Sequence, residues 1–265
     1  MLEFDIADSG VATLALNRPQ VLNALNGELI DALLQALQRV RQDPRARVLL
    51  LTGRGRAFCA GADLRDPMMN LDQPAAERGR RFMASADTGV QALARALAGL
   101  GKPKVVAVNG AAAGGGASLA LLGDIVIAAQ SAYFQQPFTA QLGLVPDLGG
   151  SYQFMHRLGP ARAIAVTMLG ERIPAAQAAE WGLIWQCVPD EALSDAAHSV
   201  AERLAQGAPR ALAVLPDLMW RALEGGLDAQ LDRERDTQAS LVQSEDFHEA
   251  VTAFREKRKP RFTGR

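Results

Sequence analysis

The chain has 265 residues, of which 49% are hydrophobic and 22% are charged, with a formal net charge of -1. This balance excludes the polar, highly charged composition of disordered chains and favours one large domain, or one domain with a small appendage. The near-neutral charge also gives no support to nucleic-acid binding, which needs a concentrated basic surface. The N-terminus lacks the pattern of a signal peptide and no apolar run could span a bilayer, so we expect a cytoplasmic protein with no membrane partner.

Strands and helices alternate over the first two thirds of the chain, and helices follow alone. The predicted strands span residues 11–16, 48–52, 104–108 and 124–128. The predicted helices span 29–40 (after the N-cap Asn26), 79–100, 117–122, 161–168, 175–181, 194–205, 210–223 and 227–257. This order predicts an α/β core followed by a helical appendage.

The cysteines and histidines indicate neither disulfides nor a metal site. Cys59 and Cys187 are far apart in sequence, and we interpret them as reduced packing thiols. The three histidines, His156, His198 and His248, lack the paired spacing of metal ligands, so no metal is expected.

Two glycine-rich turns each follow a predicted strand: Phe58–Leu64, and Asn109–Gly116, which opens a helix. Glycine lets a backbone approach a ligand closely, and free N–H groups at a helix start attract negative charge. Two N–H groups that converge on one oxygen form an oxyanion hole. Taken alone, Gly114–Gly116 could equally be a packing device, and no nucleotide-binding fingerprint occurs in the chain.

A set of motifs in consistent order resembles the crotonase (enoyl-CoA hydratase/isomerase) superfamily. The motifs are Leu16-Asn17-Arg18-Pro19, Asn23-Ala24-Leu25, Phe58-Cys59-Ala60-Gly61-Ala62-Asp63-Leu64, Lys102-Pro103, Asn109-Gly110, Gly114-Gly115-Gly116, Gly123-Asp124 and Leu142-Gly143-Leu144-Val145-Pro146 with Gly149-Gly150. Within the superfamily, three segments look most like the ring-1,2-epoxyphenylacetyl-CoA isomerases of phenylacetate catabolism: Val145–Asp147, Glu180–Gln186 and Phe254–Gly264.

The resemblance implies a crotonase-like spiral of β-β-α units over residues 1–195 and a C-terminal helical region, 196–265, used for trimerisation and active-site closure. It implies an acyl-CoA substrate, no separate cofactor because coenzyme A is part of that substrate, and a homotrimer or dimer of trimers. It also implies that the N–H groups of Ala62 and Gly115 hold the thioester oxygen. The coenzyme A contacts carried over are Val21, Leu22, Ala24, Ala60, Ala62, Asp63, Leu64 and, from the basic C-terminal tail, Lys257 or a neighbour.

The usual pair of catalytic glutamates is missing. Hydratases of this family carry one glutamate at the position of Ser118 and the other near Phe138 and Thr139, where a one-residue insertion blurs the match. No carboxylate lies between Asp124 and Asp147. Adding water needs a base and an acid, whereas one carboxylate is sufficient to shift a double bond. The resemblance therefore favours an isomerase with Asp147 as the catalytic acid and base, its pKa raised by apolar walls including Phe134, Phe138 and Leu148.

Other functions stay open at this point. Asp147 could merely cap the turn before Gly149-Gly150, as aspartates commonly do. An enoyl-CoA hydratase is the first alternative, a dehalogenase with Asp147 as nucleophile the second, and a non-catalytic RNA-binding relative the third. We interpret Asp63 and Asp124 as structural, and expect the region from Met68 to Phe82 to line the acyl pocket.

Overall fold

The computed structural model describes residues 1–66 and 72–265 and shows two sheets surrounded by helices. The strands are β1 (Leu2–Ile6), β2 (Val11–Leu16), β3 (Val48–Gly53), β4 (Ala57–Cys59), β5 (Lys104–Val108), β6 (Ala111–Ala113), β7 (Ile125–Ala129), β8 (Tyr133–Gln135), β9 (Arg172–Pro174) and β10 (Gln186–Val188). The helices are α1 (Gly27–Gln42), α2 (Ala75–Thr88), α3 (Val90–Ala98), α4 (Gly115–Leu121), α5 (Gly150–Leu169), α6 (Ala175–Glu180), α7 (Leu193–Ala205), α8 (Pro209–Arg221), α9 (Leu227–Leu241) and α10 (Glu245–Arg255).

Successive strand pairs divide between the two sheets. The first sheet has the order β1-β2-β3-β5-β7-β10, and the second has the order β4-β6-β8-β9. The pairs β3–β4, β5–β6 and β7–β8 each place one strand in each sheet before helical chain follows, and neighbouring strands of these repeats are parallel. This arrangement is the spiral of β-β-α units that the family resemblance implies.

The core lies around the first sheet. Strands β3 and β5 are apolar and almost wholly buried, as continuous runs of Val and Leu predict. Helix α7 packs on this sheet through Ala197, Ala201 and Ala205, whose small side chains let the helix approach closely. The predicted boundary at 195/196 falls inside α7, whereas α8 and α9 bury no residue.

Two predicted helices are in fact helix pairs. The stretch 79–100 is broken at Gly89, whose φ of -104° and ψ of -105° are not helical. The stretch 227–257 is broken before Ser244, whose side chain accepts the N–H of Phe247 and caps α10. In the first stretch the apolar spacing continues across the break from Phe82 to Val90 and Leu93, so periodicity alone missed it.

Six strands escaped the sequence prediction. Four of them, β4, β6, β8 and β9, make up the whole second sheet, and each has three residues. A three-residue strand is too short to show alternation. Within the described residues no helix is long and apolar enough to cross a membrane.

Candidate active site

A cavity of about 220 Å³ lies between the turns that follow β4 and β6 and the inner faces of α1, α2 and α3. Ala62, Gly115 and Asp147, which are far apart in sequence, meet at its wall. The lining from α2, α3 and the break between them is both apolar and polar, and it includes Phe82, Ser85, Gly89 and Val90. The structure thus brings the two predicted amide donors and the predicted carboxylate to one cavity.

An isolated β-bridge between Leu25 and Ala62 fixes the direction of the Ala62 N–H. Leu25 donates to the carbonyl of Gly61 at 2.7 Å, and its own carbonyl accepts the N–H of Asp63 at 2.8 Å. Successive N–H groups of an extended segment point to opposite sides, so the N–H of Ala62 points away from Leu25. Among the backbone hydrogen bonds of residues 1–66 and 72–265, this N–H is not a donor.

Gly115 is the first residue of α4, so its N–H has no partner within the helix. It is likewise not a donor among the backbone hydrogen bonds of the described residues. The next residue shows why glycine is needed here: a Cβ on Gly116 would lie 2.0 Å from the carbonyl oxygen of Cys59. The helix start can therefore press against the end of β4, next to the turn that carries Ala62.

Asp147 sits in a strained turn between a π-helical segment, Phe138–Leu142, and α5. Leu148 has a φ of 49° and Gly149 a φ of 74°, and the carbonyl of Asp147 accepts the N–H of Gly150 at 2.7 Å. A left-handed conformation is costly for a leucine and persists only where the surroundings enforce it. The turn thereby holds the carboxyl group in a fixed direction.

The carboxyl group of Asp147 points at the start of α4. Its Oδ1 lies 3.3 Å from the place that a Cβ on Gly115 would take, beside the Cδ1 of Leu148. This oxygen is buried and has no hydrogen-bond partner in the described part of the chain. Burial raises the pKa of Asp147 to about 6, against the opposing effect of its own backbone N–H. A carboxylate tuned in this way is a suitable proton carrier near neutral pH.

Three other aspartates line the cavity, but their surroundings differ. Asp63 accepts the guanidinium of Arg18 at 3.2 Å, and Asp66 accepts the N–H of Gly27 at 3.1 Å. Asp31 is exposed on α1. The raised pKa of Asp147 is due to burial, with no contribution from a neighbouring carboxylate among the described residues.

Ser118 is fully buried outside the cavity lining. Its Oγ accepts a hydrogen bond from the side-chain amide of Gln136 at 3.0 Å. The same Oγ lies 2.4 Å from the place that a Cβ on Gly150 would take, so Ser118 and Gln136 fill the space behind the turn that carries Asp147. The predicted one-residue insertion falls at the π-helical segment, where a wider turn accommodates an extra residue.

The predicted apolar walls are Phe134, Phe138 and Leu148, and none of the three is among the residues that line the cavity. Leu148 lies beside the Oδ1 of Asp147 at Gly115, and the ring of Phe138 lies 3.2 Å from the place that a Cβ on Gly114 would take, whereas Phe134 is buried in β8. The large apolar residues that line the cavity are Leu25, Ile30, Phe82 and Val90. Ile30 lies inside α1, whose apolar face the sequence assigned to the core, so the sequence offered no signal for its place in the cavity.

Of the predicted coenzyme A contacts, Ala62 and Asp63 line the cavity. Val21, Leu22 and Ala60 are half-buried, Ala24 is buried and Leu64 is exposed, all near Ala62 and Asp63 in the two turns joined by the Leu25 bridge. Lys257 is exposed, has a φ of 56° and does not line the cavity of its own chain. Of the predicted acyl-pocket region, Met68 to Leu71 lies outside the described residues, and Phe82 lines the cavity.

Neither a metal site nor a disulfide is found in the described residues. No group of His, Cys, Asp and Glu there could hold a metal ion. Both cysteines are free thiols, and burial raises the pKa of Cys59 to about 12, so its thiol stays protonated.

Asp124 accepts hydrogen bonds from both the backbone N–H and the ammonium of Lys104, consistent with the interpretation of Asp124 as a structural residue.

Known proteins resemble this chain over its whole length. Residues 7–265 match the family model described as enoyl-CoA hydratase/isomerase. The 1,2-epoxyphenylacetyl-CoA isomerase of Escherichia coli K12 is 46% identical over 100% of both chains. A "probable enoyl-CoA hydratase" of Rhodobacter capsulatus is 42% identical over 100% of this chain and 98% of the relative.

Solved structures agree with these sequence matches. An enoyl-CoA hydratase from Bacillus anthracis superposes with a TM-score of 0.89 at 29% identity, covering 100% of this chain and 99% of the other. A protein from Mycobacterium abscessus named as an enoyl-CoA hydratase/isomerase gives a TM-score of 0.92 at 36% identity, covering 100% of both chains. The predicted α/β crotonase fold is confirmed, and the chain belongs to the enoyl-CoA hydratase/isomerase family of the crotonase superfamily.

Proposed function

We propose that this protein is an acyl-CoA isomerase in which Asp147 carries a proton from one carbon of an unsaturated acyl group to another. The N–H groups of Ala62 and Gly115 hold the thioester oxygen meanwhile. When the carboxylate removes a proton from the carbon next to the thioester, the electron pair spreads onto that oxygen. When the protonated carboxyl returns the proton two carbons further along, the double bond has shifted and no atom has been gained or lost.

One observation carries the proposal: the Oδ1 of Asp147 is buried beside Gly115 without a hydrogen-bond partner in the described residues. An unpaired acceptor in such a place is costly unless a ligand uses it. The pKa near 6 keeps the group mostly ionised at neutral pH but still basic enough to take a proton. Two preorganised amides on the same wall are suited to an enolate-like charge.

The name of the Escherichia coli relative supports an aryl or epoxidised acyl group as the substrate. Isomerisation of such a group also leaves the molecular formula unchanged, so it needs no second carboxylate to activate water. We therefore place 2-(1,2-epoxy-1,2-dihydrophenyl)acetyl-CoA and unsaturated acyl-CoA thioesters in the substrate class.

An enoyl-CoA hydratase is the second candidate, favoured by the name of the Rhodobacter capsulatus relative. It requires a water molecule gripped between a base and an acid. Ser118 is engaged with Gln136, and Asp63 and Asp66 have their own partners. Among the described residues that line the cavity, Asp147 is thus the buried carboxyl group with an unpaired oxygen, which favours isomerisation.

Coenzyme A is proposed to lie along Val21, Leu22, Ala24, Ala60, Asp63 and Leu64, with Lys257 near the phosphates. We also propose a homotrimer or a dimer of trimers. Helices α8 and α9 bury no residue in the single chain, and Leu227 and Phe254 are 73% and 85% exposed. Large apolar side chains exposed in this way favour an interface between subunits.

Incubation with three substrates separates the candidates: crotonyl-CoA, a 3-enoyl-CoA and an epoxidised phenylacetyl-CoA, with products resolved by mass spectrometry. An isomerase converts the 3-enoyl or the epoxide substrate into a product of unchanged mass. Rapid gain of one water by crotonyl-CoA, with no conversion of the other two, would instead establish a hydratase.

A further inference from the structure

Arg18 spans the bridge that directs the N–H of Ala62. One guanidinium nitrogen, Nη1, donates to the carbonyl of Ala24, and the other, Nη2, donates to the carboxylate of Asp63 at 3.2 Å. Ala24 and Asp63 are the immediate neighbours of the bridged residues Leu25 and Ala62. The planar fork of an arginine therefore ties the two sides of the bridge together.

The clamp is largely shielded from water. The side chains of Arg18 and Asp63 are 14% and 9% exposed. Charge-assisted hydrogen bonds in such a place hold geometry more firmly than surface pairs do. Arg18 itself does not line the cavity, so any effect on the reaction must pass through the backbone.

The segment that Arg18 holds is strained. Leu22 and Asn23 have φ values of 54° and 56°, in the left-handed region that non-glycine residues avoid. Asn23 is fully buried; its Oδ1 accepts the N–H of Arg18, and its amide donates to the carbonyls of Arg54 and Ala57. Strain of this kind persists only under external restraint, and Arg18 contributes both main-chain and side-chain donors to it.

We propose that Arg18 is a positioning residue for the oxyanion hole: by clamping Ala24 to Asp63 it fixes the direction in which the N–H of Ala62 meets the thioester oxygen. This inference rests on the role proposed above for that N–H. The contribution of an oxyanion donor depends on its alignment with the developing charge, and loss of one such donor lowers turnover by roughly 10²–10³-fold. Partial misalignment by removal of the clamp should lower it by roughly tenfold.

The test measures the C=O stretching frequency of carbonyl-¹³C butyryl-CoA bound to the enzyme, by difference infrared spectroscopy. Hydrogen bonds to the oxygen lower this frequency relative to the free thioester. We expect a clear displacement in the wild type and a smaller one in Arg18→Met. The affinity for S-butyl-CoA, a thioether without the carbonyl oxygen, should be the same in both.

Arg65→Met is the matched control. Arg65 also pairs with Asp63, but its side chain is 75% exposed, and among the hydrogen bonds of the described residues the carbonyl of Ala24 is paired with Arg18 instead. It should keep the wild-type frequency and turnover. If Arg18→Met does not fold, Asp63→Asn removes the charged acceptor of the same clamp and should reduce the displacement in the same direction.

Two results would refute the clamp: a folded Arg18→Met enzyme with the wild-type frequency and turnover, or equal changes in Arg18→Met and Arg65→Met. If the wild type itself shows no displacement of the C=O stretching frequency, a different proposal fails. That result would remove the proposed role of the two amides themselves, and with it the basis for assigning Arg18 a role.

Discussion

Asp63 and Asp147 line the same cavity, yet their carboxyl groups have opposite surroundings. Burial acts to raise the pKa of Asp63, but the N–H of Arg65 and the guanidinium of Arg18 outweigh it, and the pKa is lowered. Burial acts in the same direction on Asp147, whose pKa rises to about 6 with no opposing effect from a cation among the described residues. Hydrogen bonds from basic residues therefore favour the ionised form of Asp63, whereas burial makes Asp147 a group that can exchange a proton near neutral pH.

Replacing Asp147 by Asn gives the largest expected effect. The amide keeps the shape of the carboxyl group but cannot accept the substrate proton, so kcat should fall by roughly 10³-fold or more. Binding of a saturated acyl-CoA, measured by calorimetry, should change little. The same exchange at Asp63 should leave a far more active enzyme, and full activity in Asp147→Asn or Asp147→Ala would remove Asp147 from the mechanism.

Gly115→Ala should come next. The new methyl would lie 3.3 Å from both the Oδ1 of Asp147 and the Cδ1 of Leu148, so the carboxyl group must give way. We expect kcat/KM to fall by roughly 10–100-fold, because small displacements of reacting groups are costly. Gly79→Ala on α2, where an added Cβ meets no atom within 4 Å, is the control and should stay near the wild type.

The pH profile should show the raised pKa directly. Asp147 acts as a base in its ionised form, so kcat/KM should fall as pH drops through about 6 and be flat above it. At pH 5 it should be about tenfold below the plateau. Asp63→Asn should keep this midpoint. A midpoint near 4 would contradict the desolvated environment.

The smallest expected effect is on stability, and its sign should differ between the two aspartates. Ionised Asp147 is unfavourable in the fold, so Asp147→Asn should raise the free energy of unfolding by roughly 1–3 kcal/mol above pH 6 and add nothing below pH 4. Asp63 has a lowered pKa, so it stabilises the fold above about pH 4 and loses this effect as pH falls further.

Asp63→Asn should accordingly lower the free energy of unfolding at pH 7 by roughly 1–3 kcal/mol. Urea unfolding of both variants at pH 4 and pH 7 measures these differences. Changes of the same sign in the free energy of unfolding at pH 7 would contradict the difference expected between Asp63 and Asp147.

Much of the fold could be read from the sequence. The buried runs 48–52 and 104–108 and the capped helix after Asn26 follow from local patterns, and the structure confirms them. The three-residue strands of the second sheet could not be predicted, because pairing with distant strands, not their own pattern, makes them strands. The break at Gly89 could not be predicted either, because the apolar spacing continues across it. That Gly89 lines the cavity is visible only in the folded chain.

The sequence by itself determined the family motifs, the glycines at the two turns and the absence of the usual glutamates around Ser118 and Phe138. The tertiary structure decided which groups meet and how each is tuned. Asp63 and Asp147 are the same residue type in sequence. Only the folded chain places the guanidinium of Arg18 against Asp63 and buries the Oδ1 of Asp147 without a hydrogen-bond partner in the described residues. The physical reason is that a pKa depends on desolvation and on charges within a few ångströms, and these neighbours come from distant parts of the chain.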